Sequence, residues 1–176
     1  LSWKGKTYIM AGYPNPSVLY YNKTLFKNEG VKTPLEYYNE GKWNWSNFKK
    51  AAKEMTIMDD TGSKVDIYGF GTEWEIIFPL ASGVDIVNAN GSLNTGNATL
   101  RKSLQFYYDM VSKDKIAVPN RWGVLNMFAK NKKVAMFYAY NDAGAIVENG
   151  LKDFEVVPFP KADGQNDYCG HALTGG

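Results

Sequence analysis

The chain has 176 residues, with 20 Lys and Arg against 18 Asp and Glu, which gives a formal net charge of +2. Because this charge is small and dispersed, it gives no electrostatic argument for a nucleic-acid partner or an anionic membrane surface. No run of about 18 apolar residues occurs, so no transmembrane helix is predicted. The single cysteine, Cys169, excludes an internal disulfide framework, and the length suits one domain with a sizeable core.

The N-terminal segment predicts two short strands, over residues 7–10 and 17–21. Residues 13–16, between them, contain two prolines that cannot donate to a sheet ladder, so we expect a turn or an irregular crossing there. A short amphipathic segment over residues 23–28 follows the second strand, and Pro34 then interrupts the chain.

A helix is predicted to begin at Trp45. The Asn44 side chain can cap it, because its oxygen can accept a hydrogen bond from an N–H two or three residues on. An apolar stripe at helical spacing supports this assignment and consists of Phe48, Ala51, Ala52 and Met55.

The Asp- and Gly-rich residues 59–63 predict a turn that enters a strand over residues 65–70. A calcium-binding loop is the alternative interpretation of this turn. It lacks the alternating acidic pattern and the distal Glu of such loops, so the turn is preferred.

This strand is expected to lead into a helix over residues 72–84, with Thr72 as its N-cap. Glu73 and Glu75 would then lie in the first turn, where their charge complements the positive end of the helix dipole. Pro79 should kink or limit this helix.

The rest of the chain predicts an alternation of helices and strands after a polar loop with a turn at Asn90-Gly91. The predicted elements are helices over residues 97–112, 122–130 and from 141, and strands over 134–138, 154–157 and 168–172. The first helix is capped by Asn97 or Thr95, and its apolar stripe is predicted as Leu100, Leu104, Tyr107, Tyr108 and Val111. Asn131, which tolerates a left-handed backbone, is expected in the turn before residue 134.

Several short motifs occur in an order that resembles one protein family. They are Tyr21-Asn22-Lys23, Leu25-Phe26, Glu29-Gly30, Trp45, Phe48, Ala51-Ala52, Thr56, Tyr68-Gly69-Phe70 and Val134-Ala135-Met136. In this order they resemble the family 1 extracellular solute-binding proteins of bacterial ABC importers, the sugar-binding type that includes the maltodextrin binders. The resemblance covers nearly the whole chain and only about half of a complete family member.

The resemblance implies an α/β fold: one lobe of a type II periplasmic-binding-protein-like fold, with a central mixed sheet flanked by helices. Residues 1–176 would form a single C-terminal lobe of a two-lobe protein, with hinge-crossing segments near residues 1–18 and 168–176. The chain begins at Leu1 without a signal-peptide pattern, and we expect it to be an excised fragment.

The function that the resemblance implies is extracytoplasmic capture of a sugar or oligosaccharide and its delivery to the permease subunits of an ABC transporter. Such a protein is periplasmic or a cell-surface lipoprotein, so the full-length protein could carry a lipid anchor. Catalysis, a cofactor and a metal are not expected. Two alternatives remain open: a carbohydrate-processing enzyme domain, which requires two cooperating carboxylates, and a stand-alone interaction domain, which predicts a large exposed aromatic patch.

The candidate solute contacts are aromatic and polar residues that follow predicted strands. Sugars present flat C–H faces and a hydroxyl rim, which suit Trp or Tyr rings with polar side chains beside them. Open α/β domains place ligands at such strand-to-helix junctions. The predicted contacts are Glu73, Trp74, Trp122, Tyr138, Tyr140, Asn141, Asp142 and His171, whereas Tyr20, Tyr21, Trp45 and Tyr68 are assigned to the core.

Two pairs of residues carry groups that catalysis could use. Cys169 and His171 would share one face of a strand, but a nucleophile and its base normally come from separate elements, and we assign the thiol to the core. Glu73 and Glu75 would point apart at i,i+2 spacing on a helix, so they do not predict a glycosidase pair.

Overall fold

The computed structural model describes residues 2–3, 6–7, 13–120, 122–170 and 172–175. The strands are β1 (Ser2–Trp3), β2 (Lys6–Thr7), β3 (Tyr13–Pro16), β4 (Val18–Asn22), β5 (Ile57–Met58), β6 (Val65–Thr72), β7 (Val134–Ala139), β8 (Phe154–Val157) and β9 (Ala172–Gly175). The helices are α1 (Lys23–Glu29), α2 (Pro34–Asn39), α3 (Trp45–Glu54), α4 (Ile77–Ala81), α5 (Ala98–Tyr108), α6 (Val124–Ala129) and α7 (Ala143–Glu148), and a π-helical segment, Asp109–Lys113, continues α5.

A five-stranded mixed sheet with the order β5-β6-β7-β4-β8 lies at the centre of the fold. Strands β6 and β7 are parallel, with Thr72 opposite Tyr138, whereas β4 runs antiparallel to both β7 and β8. Val18 at the start of β4 lies opposite Ala139 at the end of β7. The ends of β6 and β7 and the start of β4 therefore meet at one edge of the sheet, which we call the site edge.

Buried side chains cover both faces of this sheet. One cluster joins β6, α3 and α4 through Phe48, Phe70 and Phe78, which pack edge to face or tilted. On the other face, Phe137 of β7 packs against Phe128 of α6. Because helices cover both faces of a mixed sheet, the prediction of an α/β lobe with a central sheet flanked by helices is confirmed.

Local capping signals account for where several helices begin. The Asn44 and Asn97 side chains accept hydrogen bonds from backbone N–H groups of α3 and α5, as predicted. Pro34, predicted to interrupt the chain, instead occupies the first turn of α2. Thr33 and Glu36 form a capping box there, and Pro is favoured at this position because the missing N–H would have no helical partner.

Two glycines of β6 allow helices to approach the sheet closely. A Cβ atom at Gly69 would lie 1.8 Å from the Ala52 carbonyl oxygen of α3, and one at Gly71 would lie 2.5 Å from Cγ1 of Val124 in α6. The Thr56 hydroxyl joins the first junction, because it donates to the Ala52 carbonyl and accepts from the Gly69 N–H. Both approaches require a residue without a side chain.

The predicted helix over residues 72–84 is wrong at its start. Strand β6 continues to Thr72 because that residue pairs opposite Tyr138, and α4 spans only Ile77–Ala81. The Thr72 hydroxyl accepts from the Trp74 N–H and so closes a turn, where it had been expected to cap a helix. Glu73 and Glu75 therefore both precede the helix and do not lie in its first turn.

The crossing segments also differ from their predictions. Residues 13–16 form strand β3, antiparallel to β9, instead of a turn. Pro14 and Pro16 lie two residues apart, so their nitrogens face the same side of an edge strand and leave the other side free to pair. The return strand lies at Ala172–Gly175 instead of 168–172. The predicted strand over residues 7–10 lies mostly outside the described residues.

The predicted stripe of α5 and its π-helical continuation is confirmed only in part. Leu100 is buried, and Tyr107 and Val111 pack half-buried against the core. Leu104 and Tyr108 are exposed, whereas Ser103 and Met110, which were not in the predicted stripe, are buried. Ser103 was missed because it is polar, but its hydroxyl is satisfied by the Leu100 carbonyl. A similar local correction applies before β7, where the residue with a positive φ is Lys132 and not Asn131.

Candidate functional site

Three chain segments end at the site edge. Strands β6 and β7 are parallel and finish there, and residues 116–118 run parallel to β6, with the Val118 N–H donating to the Phe70 carbonyl at 3.0 Å. Because parallel segments deliver their carboxyl ends to the same side, the loops that follow them leave from a shared edge. These loops carry Trp74, Trp122 and Tyr140.

The Trp74 and Tyr140 rings are in contact. Their centroids lie 4.9 Å apart with an interplanar angle of 74°, an edge-to-face arrangement. Trp74 is 38% exposed, whereas Tyr140 is 8% exposed. The Trp74 N–H donates to the Thr72 hydroxyl at 2.9 Å, and that hydroxyl donates to the Tyr138 carbonyl at 3.1 Å. The two strand ends thus position an aromatic pair with an exposed indole.

Two carboxylates lie beside this aromatic pair. Burial raises the pKa of the half-buried Asp142 carboxyl, and the negative charge of Glu73 raises it further. Glu73 borders a surface depression of about 230 Å³ together with Trp74, Glu75 and Ile76. Aromatic rings with hydrogen-bond-accepting oxygens beside them can receive the C–H face and the hydroxyl rim of a sugar.

The loop after β7 is fixed through its backbone. The Asn141 N–H donates to the Asn15 side-chain oxygen at 3.0 Å, and the Tyr20 hydroxyl donates to the Tyr140 carbonyl at 3.0 Å. The same hydroxyl accepts from the Asp142 N–H at 3.0 Å. The sequence did not indicate these contacts, because Tyr20 and Asn15 are at least 120 residues from their partners in the loop.

Tyr138 occupies a different environment from the other predicted contacts. It is 2% exposed, its ring packs edge to face against Phe159, and its hydroxyl is hydrogen-bonded to Ser17. Burial raises the pKa of Tyr138 to about 12. Its side chain therefore supports the strand end and does not face the loops of the site edge.

The remaining predicted contacts are placed differently. Asn141 is exposed in the loop before α7, and Trp122 is 71% exposed in the loop before α6. His171 lies outside the described residues. The structure thus brings Glu73, Trp74, Tyr140 and Asp142 together, with Asn141 beside them.

Among the residues that the structure describes, no group of three or more His, Cys, Asp or Glu side chains is placed to hold a metal ion. The same part of the chain contains no helix that is both long and apolar enough to cross a membrane.

Comparisons with solved structures show the fold. The maltose/maltodextrin-binding domain MalE from Bdellovibrio bacteriovorus, bound to maltotriose, matches with a TM-score of 0.76 at 21% identity, over 98% of this chain and 44% of that one. An ABC transporter solute-binding protein from Thermotoga lettingae, bound to α-D-tagatose, matches with a TM-score of 0.74 at 22% identity, over 97% of this chain and 45% of that one.

Sequence comparisons identify the family. A Brucella abortus (strain 2308) protein that is named as a binding protein is 25% identical over 142 residues, 77% of this chain and 33% of the relative. The chain therefore spans about a third of that relative and less than half of the structural neighbours. The sequence profile described as "Bacterial extracellular solute-binding protein" matches residues 1–176. The chain belongs to the bacterial extracellular solute-binding protein family.

Proposed function

We propose that this chain is the C-terminal lobe of a two-lobe protein that captures a sugar or oligosaccharide outside the cytoplasm and delivers it to the permease of an ABC transporter. The observation that carries this proposal is the contact between Trp74 and Tyr140 at the site edge, flanked by Glu73 and Asp142. The bound sugars of the two structural neighbours support the solute class.

The chemistry of the site edge suits a sugar better than an anion or an apolar molecule. An indole face packs against sugar C–H groups, while carboxylate oxygens accept hydrogen bonds from hydroxyls. Glu73 and Asp142 would repel a solute with its own negative charge. Within the protein, burial raises the pKa of Asp142 first, and the charge of Glu73 raises it further. A neutral polyhydroxyl solute meets both requirements.

The positions of β3 and β9 support a two-lobe arrangement. These strands pair with each other, and β3 leads through Ser17 into the start of β4 at the site edge. We therefore place the hinge crossings near residues 1–18 and 168–176. A second lobe attached there would face Trp74 across a cleft, and closure of the two lobes would exclude water from the solute.

The proposed mechanism is reversible binding without a covalent step. The solute stabilises a closed arrangement of the lobes because it contacts both of them only in that state. The permease then recognises the closed form. A lipid anchor or a periplasmic location of the full-length protein would each keep the protein outside the cytoplasm.

Isothermal titration of the full-length protein with a sugar panel that includes maltotriose and D-tagatose tests the proposal. Loss of a buried aromatic contact costs about 1–3 kcal/mol, so Trp74→Ala should weaken binding roughly 5- to 150-fold. Tyr108→Ala, which truncates an exposed aromatic on α5, is the matched control and should leave affinity unchanged. Equal effects of the two variants would exclude the Trp74 site.

Two further results would contradict the proposal. The isolated lobe should bind its solute much more weakly than the full-length protein, because half of the cleft is missing, and equal affinities would refute the two-lobe arrangement. Turnover of reporter glycosides that is lost in Glu73→Gln would favour an enzyme instead of a binding protein.

A further inference from the structure

We propose that Tyr20 and Asn15 are positioning residues of the solute site, because their side chains hold the backbone of residues 140–142 in place. This inference rests on the proposed function, because it assigns the 140–142 loop to a solute contact. Neither residue was among the predicted contacts, and Tyr20 lies inside the core.

The Tyr20 side chain is buried between two other aromatic rings. It is 1% exposed, and its ring packs against Phe137 and Phe154 with centroid distances of 6.4 and 5.8 Å. A phenol held on two sides by neighbouring strands can direct its hydroxyl to one location only. That location is the loop between β7 and α7.

The hydroxyl contacts two consecutive peptide groups of the loop backbone. It donates to the Tyr140 carbonyl and accepts from the Asp142 N–H, each at 3.0 Å. The Asp142 N–H has a second acceptor within the loop, the Tyr140 carbonyl at 2.7 Å. Tyr20 therefore fixes the peptide groups on both sides of Asn141.

Asn15 provides a second anchor from a different element. Its side-chain oxygen accepts from the Asn141 N–H at 3.0 Å, and Asn15 belongs to β3, which pairs with β9. The loop is thus attached to β4 in the core and to a strand that the proposed function places at the hinge. Because Tyr140 is in contact with Trp74, the loop position also sets the position of the exposed indole.

A matched pair of phenol-to-phenyl variants separates positioning from stability. Tyr20→Phe and Tyr21→Phe each remove one buried hydroxyl from adjacent residues of β4 and leave the ring. Tyr21 is buried on the same strand, and the hydrogen bonds that anchor residues 140–142 come from Tyr20 and Asn15. Both variants should lose some resistance to urea, because each removes one buried hydroxyl.

Amide hydrogen exchange reports the anchoring without any solute. In the full-length protein, Tyr20→Phe should speed exchange at the Asp142 amide about fivefold relative to Tyr21→Phe, and Asn15→Ala should do the same at the Asn141 amide. Unchanged exchange at both amides in these variants would overturn the proposal.

Titration with maltotriose and D-tagatose then tests whether the anchoring serves binding. Tyr20→Phe should raise the dissociation constant about tenfold, whereas Tyr21→Phe should change it less than twofold. Faster exchange with unchanged affinity would overturn the positioning role while leaving solute capture intact. If the wild-type protein bound no sugar while the exchange result held, the proposed function would fail and the anchoring would stand.

Discussion

Gly69→Ala is expected to be among the most destabilising single substitutions in the described core. The added Cβ would lie 1.8 Å from the Ala52 carbonyl oxygen and 2.6 Å from the Ala52 Cα. Ordinary contact begins near 3.4 Å, so helix α3 and strand β6 would have to separate by about 1.6 Å, the difference between these distances. The atoms that clash belong to the backbone, so no change of side-chain rotamer can relieve the overlap.

The separation would also disturb the contacts around the junction. Thr56 bridges Ala52 and Gly69 through two hydrogen bonds, and Phe48 on the same helix packs edge to face against Phe70. Overpacking in a core costs about 1–3 kcal/mol, and a backbone clash with loss of these contacts should cost about 3–5 kcal/mol. For a chain of this size that corresponds to a fall in melting temperature of roughly 6–20 °C.

Urea unfolding of the chain, followed by tryptophan fluorescence, measures the effect. Gly144→Ala is the matched control, because its Cβ would meet nothing within 4 Å and Ala is favoured over Gly in a helix. It should be neutral or stabilising by up to about 1 kcal/mol. Gly71→Ala clashes with the Val124 side chain, so Val124→Ala should recover part of its loss. A Gly69→Ala chain within about 1 kcal/mol of wild type would refute the close approach of α3.

Two further predictions concern pH. Burial raises the pKa of Tyr138 to about 12. Above pH 10 the unfolded chain therefore loses this proton before the folded chain does, and the free energy of unfolding falls as pH rises. Tyr138→Phe should remove roughly 2–3 kcal/mol of that alkaline loss, measured by urea unfolding between pH 9 and about 12. Burial and then the charge of Glu73 raise the pKa of Asp142. The protonated carboxyl therefore contributes stability that is fully present below about pH 4 and is lost as the pH rises through the raised pKa of the folded state. Asp142→Asn should flatten that fall in the free energy of unfolding, and an unchanged slope would show that Asp142 is solvated like an ordinary surface carboxylate.

Elements with local signals could be predicted from the sequence. Asn44 and Asn97 were identified as caps because capping depends on residues within one turn, and both accept the expected N–H hydrogen bonds. Strand β7 was indicated by the family motif that Val134-Ala135-Met136 resembles. Predictions failed where pairing between distant segments decides the outcome: Thr72 continues a strand because Tyr138 lies opposite it in β7.

The candidate site shows the same division. Trp74, Tyr140 and Asp142 could be nominated because they follow strands and combine aromatic rings with a polar group. Their contact depends on the parallel register of β6 and β7, which no local pattern encodes. The supporting side chains, Tyr20 and Asn15, could not be nominated, because a buried Tyr and an edge Asn are indistinguishable in sequence from ordinary core and turn residues.

Tyr20 and Tyr138 lie on opposite faces of the sheet, and this difference determines how the site should respond to substitution. Adjacent strands β4 and β7 carry these residues. The Tyr20 hydroxyl contacts the backbone of residues 140–142, whereas the Tyr138 hydroxyl is hydrogen-bonded to Ser17, before β4. A change of packing beside Tyr20 can therefore shift the loop that we propose as a solute contact. Buried substitutions beside Tyr20 should alter affinity in titration as well as stability in urea, whereas substitutions near Tyr138 or Gly69 should alter stability alone.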